Sequence, residues 1–150
     1  MIKILFVCLG NICRSPMAEF VMRDMVEKRG IDGNFEIASA ATSDWEIGNP
    51  VYPPAAKKLA ENGIDCTGKT ARQMTKADYK YYDYILAMDE GNLRDMVHFV
   101  GDDPDGKVSL LMSHTDTPCD VADPWYTRDF EQTWQDVNCG CDAILKELGF

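Results

Sequence analysis

Histidine is almost missing from this chain of 150 residues, which has only His98 and His114. Neither stands beside a cysteine pair and no C-x2-C pair occurs, so no zinc-binding spacing is present and no metal is expected. Long apolar runs are missing too. Nothing approaches the roughly 18–20 residues that cross a bilayer. The opening MIKILFV is too short, with one lysine and no small-residue cleavage site, to read as a secretory signal, so a cytoplasmic setting is expected. Positive charge is scarce: the net charge is −10, and all of that excess falls in one half. Residues 1–75 carry nine basic and nine acidic side chains, whereas residues 76–150 carry six and sixteen. Nucleic acid and anionic membrane surfaces both need a basic footprint, so neither is an expected partner. An anion bound by this chain must be held by a local device in the neutral half.

What is present is a globular composition, 45% hydrophobic and 27% charged, which does not fit a disordered chain. The length suits one domain over residues 1–150. Cysteines stand at 8, 13, 66, 119, 139 and 141. A chain of this size can bury a core without cross-links, so mostly free thiols are expected.

Residues 2–7 read as a buried strand. Ser15 suits a helix N-cap and Pro16 the first turn, with Met17, Val21 and Met25 on the buried stripe and Gly30 as the stop. Further strands are expected at 35–40, 83–88 and 107–112, helices at 54–62, 90–98 and 128–148, a short helical turn at 76–82, and loops at 42–54 and 114–127. The last helix carries Phe130, Trp134, Val137, Cys141, Ile144 and Leu148 at helical spacing. This alternation predicts an α/β fold: a single three-layer domain, with a four-stranded parallel sheet and helices on both faces. Ligands of such folds bind beyond the carboxyl ends of the strands. The loops after strands one and four are therefore the places to look.

The first of these loops holds Cys8, Leu9, Gly10, Asn11, Ile12, Cys13, Arg14 and Ser15. The pattern C-x5-R alone is weak, with roughly 0.24 chance matches expected in a chain of this composition. A strand before it, a glycine within it and a Ser-Pro helix start after it give it physical meaning. A tight loop entering a helix N-terminus aims successive backbone N–H groups at one point, which is an oxyanion cradle. Gly10 eases the bend. Arg14 can grip two phosphate oxygens with its planar fork. The same donors stabilise a thiolate at the floor of the cradle, where Cys8 stands. Ser15 offers the sulfur a hydroxyl donor, and Asn11 can hold the loop. Cys8 and Cys13 lie near enough in sequence for a disulfide that would spare Cys8 from irreversible oxidation.

The run Cys8-Leu9-Gly10-Asn11-Ile12-Cys13-Arg14-Ser15-Pro16 resembles the signature of the low-molecular-weight protein tyrosine phosphatases. Ser39-Ala40-Ala41-Thr42, Ala71-Arg72-Gln73, Asp83-Tyr84-Ile85-Leu86, Met88-Asp89 and Asp123-Pro124-Trp125-Tyr126 resemble further segments of that family, in order along the chain. The resemblance implies a cysteine-dependent phosphatase that hydrolyses phosphotyrosine and aryl phosphates through a phosphocysteine intermediate, without a cofactor. The expected partners are a phosphotyrosine protein or peptide, and phosphate or another oxyanion in the loop, with the protein acting as a monomer. It also implies that Leu9 to Cys13, Ser15 and Ser39 bind or support the phosphate.

A thiolate phosphatase needs a proton donor for its leaving phenolate. Asp123, in a proline-bearing loop after the last strand, is the candidate general acid, with Asp120 as its local rival. The resemblance gives Asp123 that role and implies that Trp125 and Tyr126 flank the substrate ring, with Trp45 facing them. Packing is the alternative for all three aromatics. Related phosphatases acting on phosphoarginine have a threonine where Ile12 stands, and an apolar residue offers a guanidinium no polar partner, which favours phosphotyrosine. One departure is plain. Lys69 occupies the place of a family histidine, and lysine donates but cannot accept, so it reads either as part of a support network or as an exposed loop charge. Rival activities fit less well. A thiol-dependent arsenate reductase of this fold needs further cysteines after the third strand, and residues 82–98 contain none. Phosphocarrier domains of similar fold lack the arginine.

Overall fold

The computed structural model describes residues 1–150. Four parallel strands, β1 (Ile2–Cys8), β2 (Phe35–Ala41), β3 (Tyr84–Ala87) and β4 (Val108–Leu110), form one sheet in the order β2-β1-β3-β4. Six helices accompany them: α1 (Arg14–Lys28), α2 (Pro53–Glu61), α3 (Lys76–Tyr81), α4 (Glu90–Val100), α5 (Pro124–Thr127) and α6 (Phe130–Glu147).

Alternation along β1 builds the three layers. Ile4, Phe6 and Cys8 face a core shared with Met17, Val21 and Met22 of α1 and with Val137, Cys141 and Ile144 of α6. Leu5 and Val7 face the opposite core, which Tyr79 of α3 and Met96 and Val100 of α4 complete. Being apolar on both faces is what a central parallel strand requires. The chain leaves β1 toward β2 and then crosses to β3 on the other side, so a switch point falls at the carboxyl end of β1. Cys8, paired across the sheet with Ala41, is the last residue of that strand.

Three local expectations need correction. Ser15 is not the N-cap: Cys13 holds that position without a side-chain cap, and Ser15 lies inside the first turn of α1, where its hydroxyl serves neighbouring side chains. The buried face of α1 is wider than the expected stripe, because the helix is packed against both the sheet and α6; Met22 and Val26 are buried while Met25 is only partly so. The fourth strand ends early, at Leu110, and residues 111–114 form a 3-10 turn. There Ser113 Oγ donates to the Leu110 carbonyl at 2.6 Å and Thr115 Oγ1 to that of Met112 at 2.7 Å, curling the chain away from a ladder.

Candidate active site

The loop from Cys8 to Arg14 leaves β1 and closes on itself before α1. Its carbonyls turn outward: Cys8 O accepts from Thr42 N at 2.9 Å, Leu9 O from Ser43 N at 3.1 Å, and Ile12 O from Tyr52 N at 2.9 Å. The backbone N–H groups of residues 9–13 donate to no protein atom, the condition for a cradle of anion donors. The left-handed residue in the loop is Asn11, with φ 59°, rather than Gly10. Asparagine tolerates that conformation when its side chain is tied down. At Gly10 a Cβ would meet the flexible Glu46 side chain at 3.4 Å, an ordinary van der Waals contact, so neither backbone conformation nor space demands glycine there.

The Asn11 side chain is tied at three points. Its Nδ2 donates to Ser15 Oγ at 2.7 Å and to Ser39 Oγ at 2.9 Å, and its Oδ1 accepts from Arg72 N at 3.2 Å. Ser15 Oγ lies 3.0 Å from Cys8 Sγ. Because Asn11 donates to Ser15, the Ser15 hydroxyl hydrogen is free to point at the sulfur. Ser39 in turn donates to Glu19 Oε1 at 2.6 Å. Glu19 is 3% exposed, so its charge needs partners. Arg23 Nη2 at 2.7 Å and Lys69 Nζ at 3.3 Å supply them. Lys69 also donates to the Ser39 carbonyl at 3.1 Å. It is therefore a member of the support network rather than a loop charge. Burial pulls its ammonium below the ordinary lysine range, and the Glu19 carboxylate opposes that pull.

Arg14 is buried at the opposite side of the cradle. Nη1 donates to Asp89 Oδ2 at 2.6 Å and to the Val121 carbonyl at 3.0 Å, while Nη2 lies 3.4 Å from Asp123 Oδ2. Burial works against the guanidinium charge, but the charges of Cys8, Asp89 and Asp123 outweigh it and raise its affinity for the proton. Cys13 is buried in the same bowl. Its thiol is pushed up to about 12 by burial, then by the nearby Cys8 and Asp123 charges, and stays neutral in physiological water. All six cysteines are free.

A cavity of about 230 Å³ opens above Cys8. Leu9, Gly10, Ile12, Cys13 and Arg14 form its floor, Trp45 and Glu46 one wall, and Asp123, Trp125 and Tyr126 the other. Trp45 is 72% exposed, Trp125 43% and Tyr126 77%, so none of the three serves as a core anchor. Asp123 caps α5 by accepting from Trp125 N at 3.0 Å, and its other oxygen faces Arg14. Asp120 is exposed and lines no part of this cavity. The cradle loop, Asp123 and the three aromatics singled out in the sequence line one cavity, but Asp89 and Glu19 were missed. Asp89 carried a usable signal: an Asp-x-x-Asn capping box at the carboxyl end of β3, with Asn92 N donating to Asp89 Oδ1 at 2.7 Å.

A family model described as low molecular weight phosphotyrosine protein phosphatase matches residues 3–149. A Bacillus subtilis protein named low molecular weight protein-tyrosine-phosphatase YfkJ is 39% identical over 150 residues, spanning 99% of this chain and 96% of its own. The crystal structure of YfkJ superposes with a TM-score of 0.93 over 99% of this chain and 94% of that one. The human low molecular weight phosphotyrosine protein phosphatase is 42% identical over 150 residues, 97% of this chain and 94% of its own. Vibrio vulnificus Wzb, solved in complex with benzylphosphonate, is 29% identical, with a TM-score of 0.85 over 97% of this chain and 98% of that one.

Proposed function

The chain belongs to the low molecular weight phosphotyrosine protein phosphatases, and from that premise we propose how its own residues divide the reaction. It is a cysteine-dependent protein tyrosine phosphatase, a hydrolase working through a phosphocysteine intermediate. Cys8 attacks phosphorus in line with the leaving tyrosine oxygen. Arg14 and the N–H groups of residues 9–13 hold the three equatorial oxygens. The 3.4 Å approach to Asp123 is the longest of Arg14's contacts and the one a bound phosphate displaces. As the P–S bond forms and the P–O bond breaks, Asp123 gives its proton to the phenolate. Asp123, now a carboxylate, takes a proton from the water that attacks phosphorus. Cys8 leaves as a thiolate stabilised by the Ser15 hydroxyl, and phosphate is released.

One observation carries this reading: a single bowl holds a cysteine sulfur 3.0 Å from a hydroxyl, a buried arginine and a carboxylate on the facing lip. Trp45 on one wall and Trp125 with Tyr126 on the other suit a phenyl ring between them, which supports a phosphotyrosine protein or peptide as substrate. The benzylphosphonate complex of Wzb supports an oxyanion in the cradle. The active unit in this scheme is a monomer, and six free thiols support a reducing, cytoplasmic setting.

Hydrolysis of p-nitrophenyl phosphate and phenyl phosphate in EDTA, with orthovanadate as competitor, tests the scheme. Cys8→Ser is expected to be inactive, and Arg14→Ala to lose both binding and turnover. Asp123→Asn is expected to lose about 10²–10⁴ in kcat/KM on phenyl phosphate, whose leaving group is poor. Wild-type rates on phenyl phosphate in Asp123→Asn would remove Asp123 from the scheme.

A further inference from the structure

Arg128 has no part in the scheme above, yet its side chain engages two neighbouring aromatic residues. It ends α5 with φ 59° and ψ 17°, a left-handed conformation that long side chains seldom adopt. Its side chain lies at the surface, where an arginine is ordinarily free to move. Here Nη1 donates to Tyr52 Oη at 2.8 Å. The guanidinium also stands 5.8 Å from the Tyr52 ring centroid and 5.5 Å from that of Trp125, within cation–π range of both. The two rings are 4.9 Å apart.

Tyr52 is itself anchored to the phosphate cradle, because its backbone N–H donates to the Ile12 carbonyl at 2.9 Å. A continuous path thus runs from the cradle through Tyr52 to Arg128. α5 is only four residues long, with Asp123 capping its first turn and Arg128 closing its last. Arg128 N also donates to the Pro124 carbonyl at 2.9 Å. An element one turn long does not flex internally by much, so fixing one end fixes the other. We propose that Arg128, latched to Tyr52, is a positioning residue that seats the α5 turn against the cradle and so sets the alignment of Asp123 with the leaving oxygen. This proposal rests on Asp123 acting as the general acid.

A latch acting through the acid has a signature that phosphate binding lacks. It matters when the leaving group needs a proton and not when it departs readily. The test compares kcat/KM on p-nitrophenyl phosphate and phenyl phosphate for Arg128→Asn, Tyr52→Phe, Asp123→Asn and the Arg128→Asn/Asp123→Asn double variant. Asparagine tolerates the left-handed backbone, so Arg128→Asn removes the side chain without straining the turn. Arg128→Asn is expected to lose about tenfold on phenyl phosphate and less than about twofold on p-nitrophenyl phosphate. Tyr52→Phe, which keeps the ring but loses the acceptor, should show the same bias at smaller size. In the Asp123→Asn background, Arg128→Asn should have no further effect. Equal losses on both substrates, an undiminished loss in the Asp123→Asn background, or unchanged rates in both single variants would each overturn the latch. If Asp123→Asn with Arg128 in place shows no dependence on leaving group, the acid assignment fails first and takes the latch with it.

Discussion

Lys69, which stands where the resemblance implies a histidine, joins the network behind the cradle. The buried Glu19 carboxylate accepts from Ser39 Oγ, and Lys69 and Arg23 balance its charge. Arg23 is half exposed and so is screened by solvent, whereas Lys69 is mostly buried and its charge acts on Glu19 with less screening. Lys69→Met would leave Glu19 short of a partner and the Ser39 carbonyl without this donor. A loss of about 1–3 kcal/mol in urea unfolding is expected, together with a several-fold drop in kcat/KM as Ser39 and Asn11 loosen behind the cradle. Lys69→His, the residue that the resemblance implies at this place, should recover most of both. Unchanged stability in Lys69→Met would return the side chain to the status of a loop charge. At this scale the sequence was most readable where chemistry is local. Cys8, Arg14 and Ser15 sit within eight residues and share one loop, so their spacing already describes the cradle. Arg14's bond to Asp89 spans 75 positions, and no spacing rule reaches that far.

Elements were legible wherever periodicity had room to repeat. The apolar run of β1 and the stripe of α6 mark themselves, and α5 does not, because four residues hold no period. The contact between α6 and the 3-10 turn after β4 was equally hidden. It depends on Gly140, where an added Cβ would lie 2.5 Å from Leu111 Cγ and within 2.9 Å of both its methyl carbons. Leu111 is fully buried and has nowhere to retreat. Alanine is the better helix former by about 1 kcal/mol, but overpacking costs about 1–3 kcal/mol, so Gly140→Ala should be net destabilising in urea melts. Pairing it with Leu111→Ala should cost less than the two single changes together, because the smaller neighbour makes room for the methyl group. A stabilised Gly140→Ala would mean that α6 shifts freely across the sheet. That shift would also disturb the turn from which the chain sets out toward Asp123.

Over the whole molecule, charge and topology act together. The net charge of −10 belongs entirely to residues 76–150, so a small basic cradle sits within an acidic protein. Long-range attraction should therefore favour phosphotyrosine peptides flanked by lysines over those flanked by glutamates at low ionic strength. The difference in kcat/KM should shrink as added salt shortens the screening length to about 3 Å near 1 M. A preference that survives high salt would point to direct contacts at the mouth instead. The order of the strands has another consequence. Cys8 and Arg14 share one loop, but Arg14 takes its bonds from Asp89, Val121 and Asp123. During synthesis the cradle arginine thus emerges 75 residues ahead of Asp89, 107 ahead of Val121 and 109 ahead of Asp123, the groups it bonds. A chain cut short before β4 would carry the thiol, the loop and Asp89, but neither the Val121 carbonyl nor Asp123. The cradle therefore gains its full set of partners only after the chain beyond β4 has been made.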